Sequence, residues 1–298
     1  MSFNCKAQNI ISSDKTLPVV GYWEKGAKFK MQYSKTQTNV SQGKSKSETI
    51  SYNALWQVAD STALHYIIHL TYLDFNFINP SDSFNILFFQ MFKNVRVKYL
   101  TNELGAFDSI INMKELISNC RNGIDHLINN YTFVNTNHKE ISKKKLLTLL
   151  NNTDLFKNSI SEDIYFMHYF YGLQYKKNVS YTYDSELPNN LGGINIPSKS
   201  VYKLNYVNSL TNRIKLTSIT APVEKYFKTI IYESLVNYSK LLEVPKPKKE
   251  VVNSFSLIHK CDTEFSLLEG WFIKTTHSKI SISNTNKSTE TITITFTK

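Results

Sequence analysis

His65 and His69 are four residues apart, the first spacing in the chain that could carry chemistry. On a strand they share a face at about 13 Å between Cα atoms, too far to chelate one metal ion. On a helix they would also share a face, but no glutamate follows His65, so the zinc-protease pattern is missing. No metal site is expected. His168 lies in the aromatic run 165–171 and suits helix packing better than the role of a base. Asp60, Asp74, Asp108, Asp154 and Asp163 are scattered, with no spacing that argues for a paired acid and base. Cys120 and a distant histidine would make a dyad, yet Cys120 falls on an apolar helix stripe, where thiols are unreactive. No nucleophile elbow, phosphate loop or dinucleotide fingerprint occurs, and Gly192-Gly193 reads as a loop. No cofactor is implied. The balance is against an enzyme, although a dispersed site stays open.

The elements that would position such residues are clearest at 95–131. Val95, Val97 and Tyr99 alternate with Arg96 and Lys98, the period of a half-buried strand. Asn102 to Gly105 supply a turn, and Phe107, Ser109 and Ile111 continue as a second strand. Asn112 with Glu115 three residues later has capping-box spacing. Met113, Ile117, Cys120, Ile124, Leu127 and Tyr131 then form an apolar helix stripe. Before this unit, 28–33, 49–58 and 64–77 read as strands, 35–47 as a polar hairpin loop, and 83–92 as a short helix. After it, 142–150 and 160–171 read as helices. Strands are expected at 179–183, 200–208 and 213–220, with a turn-rich loop at 187–197. Pro222 opens a helix to 243, and closing strands follow at 254–261, 264–275 and 290–297. In the last, Thr291, Thr293, Thr295 and Thr297 alternate with Ile292, Ile294 and Phe296.

Strands, helices, strands, helix and strands in that order predict an α+β fold. Curved antiparallel sheets would carry helices packed on one face. The expected organisation is an N-terminal segment 1–17, a first half 18–171 and a similar second half 172–298. One continuous domain is the alternative. The 18 Tyr and 18 Phe are ample for a core and favour strands.

The formal charge of +11 invites a nucleic-acid partner. Its make-up argues against one. Arg96, Arg121 and Arg213 are the only arginines, and the lysines are mostly dispersed. No apolar run approaches the ~20 residues that span a bilayer as a helix. Residues 2–8 resemble the end of a secretory signal peptide, with Cys5-x-Ala7 as the cleavage pattern. The expected location is therefore periplasmic, cell-surface or secreted, with the cytoplasm as alternative. Three cysteines make no disulfide framework. With Cys5 removed, Cys120 and Cys261 are a candidate pair, and two separate buried thiols fit equally well.

The strand–Gly–strand–Asn–helix unit, the loop from Leu187-Pro188 to Ile196-Pro197, and Gly270-Trp271 before a Thr/Ile strand resemble a class of uncharacterised exported bacterial proteins. Those are similar to the half-barrel lipoprotein carriers (LolA-like), in which a sheet wraps helices around an apolar cavity. The resemblance covers most of the chain as a pattern and carries no diagnostic motif. It implies an extracytoplasmic protein that holds a lipid or a lipidated partner. It transfers no site residue.

The sequence thus points to a non-enzymatic exported protein that binds a lipid, another apolar ligand or a protein partner between sheet and helix. Tyr66, Ile68, Tyr99, Phe107, Phe227 and Trp271 are the candidate lining. Two alternatives stand beside it: a hydrolase with a dispersed site, and a lysine-rich module for anionic partners.

Overall fold

The computed structural model describes residues 16–80, 83–133, 136–187, 189, 194–241, 245–284 and 286–297. The signal-like segment up to Gln8 and residues 188 and 190–193 of the 187–197 loop lie outside them. Leu17–Pro18 form β1. Three long strands follow, β2 (Lys28–Ser41), β3 (Lys44–Ser61) and β4 (His65–Ile78). Helix α1 (Ser83–Gln90) leads to β5 (Arg96–Asn102) and β6 (Phe107–Ile110). Then come α2 (Met113–Asn130), α3 (Thr136–Asn151) and α4 (Thr153–His168). Next are β7 (Gln174–Tyr175), β8 (Ser180–Leu187), β9 (Ile196–Asn208), β10 (Arg213–Pro222) and α5 (Glu224–Leu241). A 3-10 turn, Lys249–Ser254, precedes β11 (Ser256–Ser266), β12 (Trp271–Ser283) and β13 (Asn286–Thr297).

Eleven strands form one antiparallel sheet in the order β6-β5-β4-β3-β2-β13-β12-β11-β10-β9-β8. The sheet is curved and unclosed, with helices against it, as an α+β fold requires. The last strand sits in the middle: β13 pairs with β2, Ile294 opposite Tyr33 and Phe296 opposite Met31. Its Thr/Ile alternation sends Ile292, Ile294 and Phe296 into the core.

Four local expectations are corrected. Residues 35–47 are not a loop. β2 and β3 run through them and meet at Gln42-Gly43, both at positive φ (50° and 75°), the geometry of a two-residue hairpin. Apolar alternation stops after Tyr33, so nothing in the residue pattern marks the extension. Side-chain bonds between facing hydroxyls carry it instead, Thr36 to Thr49 at 3.0 Å and Thr38 to Ser47 at 2.8 Å. The expected strand 264–275 is broken by a turn at 267–270, because Gly270 takes φ +66° between β11 and β12. The buried stripe of α2 is Leu116, Cys120, Ile124 and Ile128, one step round from the expected line. The capping box does not form either. Asn112 turns its side chain to the sheet, accepting from the Lys98 amide at 2.9 Å and donating to the Arg96 carbonyl at 3.0 Å. It thereby ties the start of α2 to β5.

The chain before β2 seals one end of the sheet. β1 pairs with β7, the Gly21 amide donates to the Leu104 carbonyl, and Val19 exchanges bonds with the 172–173 backbone. Gly270 abuts this segment so closely that a Cβ there would lie 2.5 Å from the Tyr22 nitrogen. All three tryptophans meet at this closure. Trp23 stacks on Trp271 at 4.9 Å and meets Trp56 edge-on at 5.3 Å. Among the described residues no helix is long and apolar enough to cross a membrane.

Candidate ligand-binding cleft

The inner face of the sheet changes character from one side to the other. On β2 to β5 its inward positions are Met31, Tyr52, Trp56, Val58, Ile68, Leu70 and Val97, all buried and nearly all apolar. On β9 to β12 several inward positions are Ser198, Ser200, Ser218, Thr220, Thr263, Thr275 and His277, buried and polar. Above this polar half lies a cleft of about 540 Å³, walled by Tyr165 and Phe166 of α4 and by Tyr169 just after it. That volume is in the range of small-molecule sites.

The floor hydroxyls bond mainly to one another. Ser200 meets Thr220 at 2.7 Å and donates to Ser185 at 2.9 Å. Tyr202 and Ser218 both donate to the Tyr169 hydroxyl, at 3.1 and 3.2 Å. Side-chain partners of this kind are exchangeable, whereas a bond within the strand ladder is not.

Beside them, Cys261 and His277 are opposite one another on β11 and β12. Cys261 Sγ lies 3.2 Å from His277 Nε2, and Thr275 Oγ1 lies at the same distance from that nitrogen. Phe166 stacks on the imidazole at 3.9 Å. Burial pushes the Cys261 thiol up to about 12 and the His277 imidazole down to about 3. Both groups are therefore neutral near pH 7, and no thiolate forms. His259, two residues before Cys261, has its Nε2 buried without a partner. Burial, with Lys279 nearby, lowers it to about 4.

The cleft's charges balance, with Lys35, Lys260 and Lys279 against Glu162, Glu186 and Glu290. Lys35 Nζ sits 2.9 Å from Glu290 and 4.0 Å from Glu162. Burial alone would lower its ammonium; the two carboxylates reverse that and hold it above the usual lysine value. Deeper in, Tyr52 donates to Asp163 at 2.7 Å, and burial raises that carboxyl to about 6.

The residues singled out from sequence lie elsewhere. Ile68, Tyr99 and Trp271 are buried in the main core, and Tyr66 and Phe107 pack against it. Phe227 belongs to a second, smaller cluster with Leu187, Ile196, Ile230 and Ile231. None of the six lines the cleft. Tyr99 is part of a closed chain of bonds: Trp56 donates to its hydroxyl at 2.8 Å, the hydroxyl meets His168 Nε2 at 2.9 Å, and His168 Nδ1 meets the Gly105 carbonyl at 2.7 Å. A carbonyl can only accept, so Nδ1 carries the proton and Tyr99 donates to Nε2. Cys120 and Cys261 are both buried free thiols and do not pair. Cys261 falls in the expected strand 254–261 as a candidate buried thiol. Its partner His277 carries no sequence signal, because cross-strand neighbours sixteen residues apart share none.

No family model matches the chain, and no curated protein matches it. Among solved structures it is similar to one described as "Lipid-protein interactions in lipovitellin", at TM-score 0.46 and 8% identity. The likeness covers 92% of this chain and 25% of that one, and at this score it bears no weight for fold or function.

Proposed function

We propose that the protein binds an amphipathic small molecule in the cleft between α4 and β8 to β12. The observation that carries this reading is a buried floor of hydroxyls beside open volume. An apolar portion of the ligand, a compact lipid included, packs on Tyr165 and Phe166. Its polar end replaces the mutual bonds of Ser200, Thr220 and Tyr202 and reaches the unpartnered His259 nitrogen. The balanced charges of the cleft favour a ligand without net charge over the anionic partner that the chain's basic total suggests. An extracytoplasmic location belongs to the same proposal and is tested by fractionating cells that express the full-length gene.

Titration with the uncharged fluorescent probe N-phenyl-1-naphthylamine tests the site. Ser218→Phe fills the floor and is expected to weaken probe binding about tenfold or more, with circular dichroism confirming the fold. Equal binding by both proteins sinks the cleft as the site.

The Cys261–His277 contact supports a second reading, thiol chemistry. A nucleophilic cysteine needs a thiolate, and this pair is neutral. Iodoacetamide decides between the two. Slow labelling of Cys261 at pH 7.5 supports binding, and labelling within minutes supports catalysis.

A further inference from the structure

A hydroxyl carries one hydrogen and two lone pairs, so the bonds of the cleft floor have a direction. Tyr202 and Ser218 each place their hydrogen on the Tyr169 oxygen, at 3.1 and 3.2 Å. With both lone pairs taken, Tyr169 can accept nothing more and can only donate. Its own hydrogen has no acceptor among the described residues. A second chain runs the same way. Ser200 donates to Ser185 at 2.9 Å, so in its 2.7 Å bond with Thr220 the Thr220 hydroxyl is the donor. Ser185 stands last, with its hydrogen likewise uncommitted among the described residues. Both chains therefore end on a residue of the cleft lining that has a hydrogen to give.

Tyr169 is well placed for that role. Its ring stacks on Tyr202 at 5.7 Å and meets Tyr165 edge-on at 5.6 Å, which holds the hydroxyl in place before any ligand arrives. Two donors on one oxygen also polarise its O–H bond and strengthen it as a donor. Tyr99 at the sealed end shows the completed form of the same pattern, accepting from Trp56 and donating to His168.

We propose that the ligand of the cleft presents a carbonyl oxygen, that of an ester, ketone or amide, to the Tyr169 hydroxyl. The inference rests on the cleft being the binding site. What meets Tyr169 must accept, which rules out an amine or ammonium end for this contact. An alcohol would bring a hydrogen of its own to a lining that already holds two uncommitted ones. A carbonyl brings none, and its oxygen has two lone pairs to receive them. The contact breaks none of the floor's existing bonds.

Two uncharged naphthalene probes test the proposal. The ketone 6-propionyl-2-(dimethylamino)naphthalene has a carbonyl and no donor, and its emission moves to longer wavelength when the carbonyl accepts a hydrogen bond. N-phenyl-1-naphthylamine has an N–H and no oxygen. The wild type is expected to bind both, with the bound ketone emitting at the longer wavelength of a hydrogen-bonded carbonyl. Tyr169→Phe is expected to lower affinity for the ketone about tenfold and for the amine less than about threefold, and to move the bound ketone's emission to shorter wavelength. Tyr175→Phe is the matched control. Its hydroxyl is buried without a partner, and it does not line the cleft. Ketone affinity should stay within about twofold there. Equal losses in the two variants, or wild-type emission as short as in an alkane, overturn the carbonyl contact and leave the cleft as the site. Binding of neither probe to the wild type sinks the cleft and this inference with it.

Discussion

Two histidine–tyrosine clusters in this molecule use the same residue types to opposite ends. At the sealed end, His168, Tyr99 and Trp56 form a chain in which every polar atom has a fixed partner, packed among Trp23, Tyr171 and Trp271. In the cleft, Tyr169 and Tyr202 bond through neighbouring hydroxyls, His277 through a thiol, a hydroxyl and the Phe166 backbone, and His259 Nε2 not at all, beside about 540 Å³ of space. Residue type does not separate the two; the exchangeability of the partners does. A carbonyl held by a turn cannot be replaced, so His168 is structural. A serine bonded to a serine can be turned toward a ligand at little cost, since net hydrogen-bond energies are only about 1 kcal/mol when one partner replaces another.

The sharpest way to break this contrast is to damage the sealed end. Gly270→Ala places a Cβ 2.5 Å from the Tyr22 nitrogen and 2.9 Å from the Val20 carbonyl oxygen, at a φ of +66°. Neither backbone atom can swing away. A loss of about 3 kcal/mol or more is expected in urea unfolding, and a loss below about 1 kcal/mol would mean that the closure is soft. His168→Ala comes next. It leaves the Gly105 carbonyl without its donor and the Tyr99 O–H without its acceptor, at a cost of about 2–3 kcal/mol.

Acid should weaken both clusters. The folded values of His168, His259 and His277 are lowered from 6.5 to about 4, 4 and 3, mainly by burial. The unfolded chain then binds protons that the native chain refuses, so their contribution is full above pH 6.5 and is lost toward pH 4. Asp163 runs the other way: raised to about 6, it favours the native state below that pH. Urea midpoints should fall from pH 6.5 to 4.5, and the fall should steepen in Asp163→Asn. A flat profile would show that the imidazoles are not held neutral.

The smallest effect belongs to the cleft. His277→Gln keeps a polar side chain beside the Cys261 and Thr275 groups and should cost less than about 1 kcal/mol, yet alter probe binding severalfold. If it destabilises as much as His168→Ala, the two regions are alike and the cleft is simply core.

Much of the fold was legible, for identifiable reasons. Val97 and Tyr99 alternate with charged residues, and Ile292, Ile294 and Phe296 alternate with threonines, so β5 and β13 announced their buried sides, while α2 announced its helical period but not the exact stripe it buries. The extensions of β2 and β3 were hidden, because Lys35, Gln37 and Asn39 show no apolar period and are held by pairing on both sides. The cleft was hidden too. Ser200, Ser218, Thr220 and His277 look like ordinary exposed strand residues, and they face inward only because their strands continue a sheet whose inner side is set by Leu204, Leu216 and Phe265.

The sequence by itself thus determined where most strands and helices lie, and the apolar side of several of them, because periodicity is a local property. Tertiary structure alone decided that β13 lies between β2 and β12, that Cys261 meets His277, and that aromatic residues close one end while hydroxyls line a cleft. Those are pairings across long stretches of chain. They are chosen by register and packing, which no local pattern encodes.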